Sequence, residues 1–199
     1  MSFLLFNEIL IIKNIYFDFL NLKYELGFIS IPFTTLCILL LINAINLSDG
    51  INSLAILIII YILLYLHTYN KGIEQYLLLN LIISLIFICY FNYRGNFFLG
   101  NSGSYFLGMF VSLSIISTYN VNLNHGLKIN SEELFIILFL PGVDMFRLFV
   151  ERIFKKKNPF DGDKNHFHHF LIERFSLTKS LVIYSVFMIT PYLVFRILN

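Results

Sequence analysis

Three polar clusters interrupt an otherwise apolar chain, and each holds residue types able to handle phosphate or a cation. The first contains Asn43, Asn46 and Asp49, spaced three apart and followed by Gly50. At a helix end this spacing sets the side chains along one side, within roughly a third of the circumference. An aspartate there suits a ligand or metal contact at a membrane surface, although Asn and Asp also serve as plain helix terminators. The second cluster is Gly100, Asn101, Ser102, Gly103 and Ser104, ahead of an apolar stretch. Glycine permits close backbone approach, Ser102 or Ser104 could cap the following helix, and free N–H groups at a helix start attract anions. A simple cap and turn accounts for the same residues. The third cluster is His166, His168 and His169, after Lys155, Lys156, Lys157, Asp163 and Lys164. Imidazoles beside lysines suit a diphosphate by charge and hydrogen bonding. A zinc site is the alternative, but no cysteine is near, and three ligands so close in sequence are awkward without a fourth.

These clusters need a scaffold, and composition identifies it. Of 199 residues, 58% are hydrophobic and only 13% charged, against roughly 25% charged in an ordinary soluble domain. The apolar residues come in long blocks, so the chain reads as a polytopic membrane protein. A net charge of +2 gives no argument for nucleic acid. Cys37 and Cys89 sit inside apolar blocks and read as buried thiols, neither a disulfide nor a metal framework. The segment from Met1 to Ile12 contains Glu8 and lacks both a basic start and a small-residue cleavage site, so it does not read as a cleavable signal. Tryptophan is absent, leaving twelve tyrosines as interfacial aromatics.

About 20 apolar residues cross a bilayer as helix, with ~17 as a lower limit. Candidate spans cover 31–47, 51–66, 76–93, 105–119, 133–150 and 180–198. The continuous blocks lack the alternation of a membrane barrel. The expected fold class is therefore all-α: a polytopic transmembrane helical bundle of about six spans. It forms a single integral membrane domain over 1–199. Residues 1–30 are an ambiguous lead-in, 31–198 the transmembrane core and 151–179 a His-rich loop. Counting crossings puts all three clusters on one side. The last loop on that side and its edges carry Arg147, Arg152, Lys155, Lys156, Lys157, Lys164, Arg174 and Lys179, whereas each opposite loop carries one lysine. The positive-inside rule makes the cluster side cytosolic, and topological anchoring is the main role of these lysines. Within 133–150, Asp144 and Arg147, with Glu151 beyond, read as a self-neutralising ladder, and Pro141-Gly142 as a kink.

Taken together, the clusters resemble the polyprenyl-phosphate N-acetylhexosamine-1-phosphate transferases, the WecA/MraY-like membrane family. Residues 43–55 look like its Asn-rich Asp-Gly motif, 97–108 like its Gly-Asp-x-Gly-Ser motif, and 158–171 like the His-x-His-His loop of the WecA-type branch. Order, spacing and topology agree over roughly residues 30–175. The resemblance implies an enzyme of the bacterial inner membrane, multi-pass, with its active-site loops facing the cytosol. A polyprenyl (undecaprenyl) phosphate oxygen would attack the β-phosphorus of a UDP-amino sugar, with N-acetylglucosamine the expected sugar. UMP would leave, and the lipid product would feed envelope polysaccharide or cell-wall synthesis. By motif position, Asp49 would be catalytic with Asn46 assisting, and His168 and His169 would contact the diphosphate or sugar. Gly50, Ile51 and Asn52 would border the uracil and Phe98 would stack on it. Asn43, Ser102, Gly103, Ser104 and His166 complete the substrate-binding set. Mg²⁺ is the implied cofactor.

Departures from the family pattern carry expectations of their own. Asn101 stands where the family has the aspartate that binds Mg²⁺, and a neutral amide is a weaker ligand for a hard cation. Asn52 and Ser53 replace a usual Asp and Gly. Family members carry an Asp-Asp pair on an earlier loop, but the first 48 residues here offer only Glu8, Asp18 and Glu25. The chain thus corresponds to a C-terminal portion of the family, with a separate N-terminal half or a homodimer as expected partners. Two other functions fit the same residues. One is a catalytically silent relative that holds nucleotide sugar or lipid phosphate. The other is a small transporter centred on Asp144 and Arg147.

Overall fold

A computed structural model describes residues 8–125, 129–156 and 166–198. Lys157, Asn158, Pro159, Phe160, Asp163 and Lys164 of the third cluster's approach lie outside the described residues. Eight helices dominate: α1 (Ser30–Ser48), α2 (Leu54–Tyr69), α3 (Ile73–Tyr93), α4 (Gly100–His125), α5 (Ser131–Ile137), α6 (Phe139–Phe154), α7 (Phe167–Arg174) and α8 (Leu177–Leu198). Four segments are long and apolar enough to cross a membrane: Gly27–Ser48, Ile73–Tyr93, Gly100–Asn122 and Leu177–Leu198. The shorter α2 is apolar on every face, and such a helix belongs inside a bundle. Its Ile58, Ile59 and Leu63 are fully buried, making it the central post. Helix α3, in contrast, leaves Ile83, Ile86 and Phe87 exposed, as a lipid-facing helix must. The expected helical membrane bundle is the architecture found.

One local feature differs from the sequence-based expectation, and another resolves what the sequence left ambiguous. The span expected over 133–150 is two helices, α5 and α6, separated at Leu138. Pro141 explains the break. It has no N–H to offer the Ile137 carbonyl, and its ring crowds that carbonyl, so the ladder stops there. It restarts with Gly142 N–H donating to Leu138 O at 3.0 Å. Proline thus sits in the first turn of α6, where it is tolerated, and the expected kink is a complete interruption.

The lead-in, ambiguous in the sequence, is built around two short strands in its described part. It forms a hairpin of β1 (Asn14–Phe17) and β2 (Leu22–Glu25), antiparallel, with Asn14 opposite Glu25 and Phe17 opposite Leu22. Asn21 takes a left-handed conformation (φ +49°) in the turn, which asparagine accommodates well. The hairpin docks at the end of the bundle away from Asp49. There Tyr16 N–H donates to Tyr119 Oη at 3.0 Å, and Phe19 N–H to Glu132 Oε1 at 3.1 Å. The same end is clamped by buried Glu133, which accepts from Tyr65 (2.8 Å) and Tyr69 (2.7 Å) and pairs with Arg196 at 3.4 Å. Three elements, α2, α5 and α8, are tied by one carboxylate.

Helices α1 and α4 bring the first two polar clusters together, and a glycine sets their separation. A Cβ on Gly108 would lie 3.1 Å from the Ile42 Cα, a backbone atom that cannot rotate away. Small residues at such crossings let apolar helices approach closely. Gly108→Leu should therefore wedge the pair apart. We expect a loss of about 1–3 kcal/mol, typical of overpacking, which in a chain of this size lowers the melting temperature in detergent by about 5 °C. A variant as stable as the wild type would show that this crossing is not tight.

Candidate active site

The ends of α1 and α4 and the start of α7 meet at one end of the bundle. Asp49 closes α1, its N–H donating to Asn46 O at 3.1 Å. One turn back, Asn46 reaches across to α4, where its Nδ2 donates to Ser104 Oγ at 2.7 Å and to Asn101 Oδ1 at 3.3 Å. The Asp49 carboxylate accepts from the backbone N–H of Gly100, the first residue of α4. First and second clusters are thus stitched by side chains, not merely adjacent. Burial pushes the Asp49 carboxyl up to about 6, with the Gly100 N–H pulling the other way. Ser102 and Ser104 lie inside the first turns of α4 and do not precede it. Ser104 is fully buried, with its Oγ donating back to Asn101 O at 3.1 Å. The cap expected from either serine is not formed; Gly100, at φ +67°, leads into the helix instead.

The histidines close over the Asp-Gly turn. A Cβ on Gly50 would lie 3.1 Å from His168 Nε2 and 3.2 Å from His169 Nε2, so glycine at that point leaves room for two imidazoles. The His168 and His169 rings are 4.4 Å apart, and His166 stacks parallel to His168 at 5.2 Å. His166 and His168 are buried and His169 is half-buried. Burial, then the neighbouring imidazoles of His169 and His166, hold the His168 ring down at about 3, so it is neutral near pH 7. Whatever His168 contributes, it contributes by hydrogen bonding or ligation, without a positive charge.

The remaining candidates are placed less tightly. Ile51 is buried and Asn52 half-buried in the turn after Gly50, while Asn43 lies exposed two turns before Asp49. Phe98 is 70% exposed, its ring standing free for a planar ligand. Gly103 packs on Leu99, which a Cβ there would meet at 2.9 Å.

Two further side chains organise this end: one was not singled out in the sequence, and the other was read there only as part of a local ladder. Asn92, buried near the end of α3, accepts the Ser53 N–H on Oδ1 and donates to Phe97 O at 2.8 Å. One amide thereby locks the turn after Gly50 to the segment leading into Gly100. Ser53 itself is left-handed (φ +70°), a conformation that glycine adopts more easily. Its Oγ donates to Cys89 O at 3.0 Å and holds the turn in place. The second is Asp144. It forms the expected ladder with Arg147 (3.2 Å), and Arg147 pairs with Glu151 at 3.3 Å. It also faces His166 Nδ1 at 2.9 Å and accepts the Phe167 N–H at 3.0 Å. Asp144 anchors the His segment to α6. A polar residue inside an apolar run was the available signal for both.

Known proteins resemble this chain over much of its length. The family model described as glycosyl transferase family 4 matches residues 1–119. A probable undecaprenyl-phosphate N-acetylglucosaminyl 1-phosphate transferase of Bacillus subtilis (strain 168) is 31% identical over 177 aligned residues, covering 86% of this chain and 48% of that protein. An undecaprenyl-phosphate alpha-N-acetylglucosaminyl 1-phosphate transferase of Thermotoga maritima is 33% identical over 86 residues, 43% of this chain and 27% of that protein. The chain spans about half the length of the Bacillus relative and less of the other.

Proposed function

The chain belongs to glycosyl transferase family 4, and on that premise we propose that it acts in transfer of N-acetylglucosamine 1-phosphate from UDP-N-acetylglucosamine to undecaprenyl phosphate. The observation that carries this reading is the closure of His168 and His169 on Gly50 while Asn46 bridges to Asn101 and Ser104. Three polar segments from distant parts of the chain thereby form one patch at the end of an apolar bundle. Such a patch suits a substrate pair with charged heads and a lipid tail.

In the proposed reaction, a lipid phosphate oxygen forms a bond to the β-phosphorus, and the bond from that phosphorus to the bridging oxygen breaks. UMP leaves with that oxygen. One phosphoanhydride replaces another, so the protein's task is positioning and charge control. A carboxyl titrating near 6 is matched to a phosphate monoester, whose second ionisation also lies at about 6. Asp49 is therefore placed to take the proton of an incoming lipid phosphate and raise its nucleophilicity. Asn46 and the Gly100 N–H hold the surrounding groups, His169 faces the diphosphate, and Phe98 offers its free ring to the uracil.

Mg²⁺ fits this end through the Asn101 amide oxygen, which Asn46 Nδ2 holds at 3.3 Å, with substrate phosphates supplying the other oxygens. When bound, the ion would neutralise charge on the diphosphate. The lipid tail has a place too. An apolar cavity of about 610 Å³ lies between α1, α4, α5 and α6, lined in part by Leu41, Ala44, Leu138, Pro141, Gly142 and Met145. Its lining runs along α1 from Phe33 to Ala44, five residues before Asp49, and reaches Ile15 and Tyr119 at the hairpin end.

Membranes containing the chain, supplied with UDP-N-acetylglucosamine, undecaprenyl phosphate and Mg²⁺, should release UMP. Asn101→Asp should lower the Mg²⁺ concentration needed for half-maximal rate. Nucleotide-sugar binding without UMP release, in both forms, would replace this reading with that of a silent relative.

A further inference from the structure

We propose, on the reading of the histidines as substrate contacts, that Asp144 is a positioning residue for the reaction. It caps α7 from the neighbouring helix and selects the tautomer of His166, and so fixes His168 and His169 over Gly50. Helix α7 has eight residues, too few to hold as an isolated helix. Its N-cap residue, His166, gives the first turn no side-chain hydrogen bond. The Phe167 N–H donates instead to Asp144 Oδ1 at 3.0 Å, across to α6. A carboxylate at a helix start also suits the helix dipole. His168 and His169 stand in that same turn, with His169 N–H donating to His166 O at 2.9 Å. Their place therefore depends on the cap. An apolar anchor works beside it, since the Phe167 ring packs on Tyr184 and Phe187 of α8 at centroid distances of 6.0 and 5.9 Å.

The second oxygen of Asp144 orients the His166 ring. Nδ1 lies 2.9 Å from Oδ2, while Oδ1 already accepts from Phe167 and from Arg147 at 3.2 Å. A carboxylate paired with arginine only accepts, so the hydrogen between the two groups sits on Nδ1. The opposite nitrogen, Nε2, is sealed from solvent and has no hydrogen-bond partner among the described residues. A hydrogen there would be a buried donor without an acceptor, which folded proteins avoid. The oriented ring stacks parallel on His168 at 5.2 Å, and His168 abuts His169 at 4.4 Å. Asp144 thus uses both oxygens as acceptors at once. An amide has one acceptor oxygen and cannot serve the Phe167 N–H and the His166 Nδ1–H together.

The test uses the full chain in detergent, ¹⁵N-labelled, at pH 8, with the His166 ring assigned through His166→Gln. Wild type should show His166 protonated on Nδ1. Asp144→Asn should either move that hydrogen to Nε2 or speed hydrogen exchange in the first turn of α7 about tenfold, the scale of a lost cap. Asp144→Ala, which removes both acceptors, should speed the exchange at least as much. It should also lower UMP release about 10²-fold, the scale of a contact group displaced by about 1 Å. The loss should fall on kcat, with little change in the KM for UDP-N-acetylglucosamine. Helicity and monodispersity of each variant guard against misfolding. A wild-type His166 protonated on Nε2 alone overturns the proposal, as does Asp144→Asn with both the tautomer and the exchange of wild type. So does a folded Asp144→Ala that releases UMP at the wild-type rate. A wild-type chain that releases no UMP would count against the proposed reaction and not against this role, because tautomer and exchange are read without substrate.

Discussion

Asp49→Asn is expected to lower UMP release by about 10³-fold or more while leaving the chain folded. General acid–base groups contribute typically about 10²–10⁴ in rate, and this residue also adds charge beside the diphosphate. The amide keeps the shape of the carboxylate but can neither take a proton nor carry charge. The wild-type rate should fall as pH drops through about 6, where the carboxyl protonates, and the residual rate of the variant should lack that step. Stability should move oppositely. The folded carboxyl titrates at about 6, above its ordinary 3.8, so the folded chain holds that proton more tightly between those values. The associated stability is present below 3.8 and is lost as pH rises through 6. At pH 8 the ionised, half-buried carboxylate is a burden, and Asp49→Asn should melt slightly higher than wild type. Comparison of rate and melting temperature at pH 5.5 and pH 8 tests both signs. An Asn variant within tenfold of wild type would remove Asp49 from the chemistry.

The sequence exposes some of this end and conceals the rest for physical reasons. Asn46, Asp49 and His168 stand out because polar groups at the edge of apolar runs are costly and seldom incidental. Their convergence followed from counting crossings, since an even number of spans returns the chain to the same side. Asp144 was half legible. Its neighbour Arg147, itself paired with Glu151, satisfies it within one helix, and that local answer hides the longer-range partner His166, 22 residues away. Asn92 falls at the end of the expected span 76–93, and hydropathy does not register that its side chain turns inward. The hairpin at Asn14–Glu25 has too mixed a pattern to declare strands. Its register is instead held by contacts to Tyr119 and Glu132, more than 100 residues later. Hydropathy registers the run over 133–150 as one span because it reads composition, whereas the break at Leu138 is a matter of backbone hydrogen bonds lost at Pro141.

Gly50→Val is the second substitution with a large expected effect, and it acts through the histidines. The Gly50 backbone lies outside the left-handed region, so a side chain there meets no backbone penalty. Its cost is steric. A Cβ alone would sit 3.1 Å from His168 Nε2 and 3.2 Å from His169 Nε2, closer than nitrogen and carbon comfortably approach. Alanine asks each ring to yield by a few tenths of an ångström; valine adds two methyl groups at the same spot and forces the rings outward. His166 and His168 are buried and held from behind by Asp144 and by stacking, so the half-buried His169 should move most. Displacement of a substrate-contacting group by about 1 Å costs on the order of 10² in rate. We therefore expect roughly a tenfold loss for Gly50→Ala and a hundredfold loss or more for Gly50→Val, with little change in melting temperature. If the loss runs through His169, the Gly50→Val/His169→Gln double variant should be hardly worse than His169→Gln alone, the non-additivity expected of residues in contact. Fully multiplicative losses, or a valine variant as active as wild type, would mean that the imidazoles near the Asp-Gly turn are packing groups and that catalysis uses other side chains.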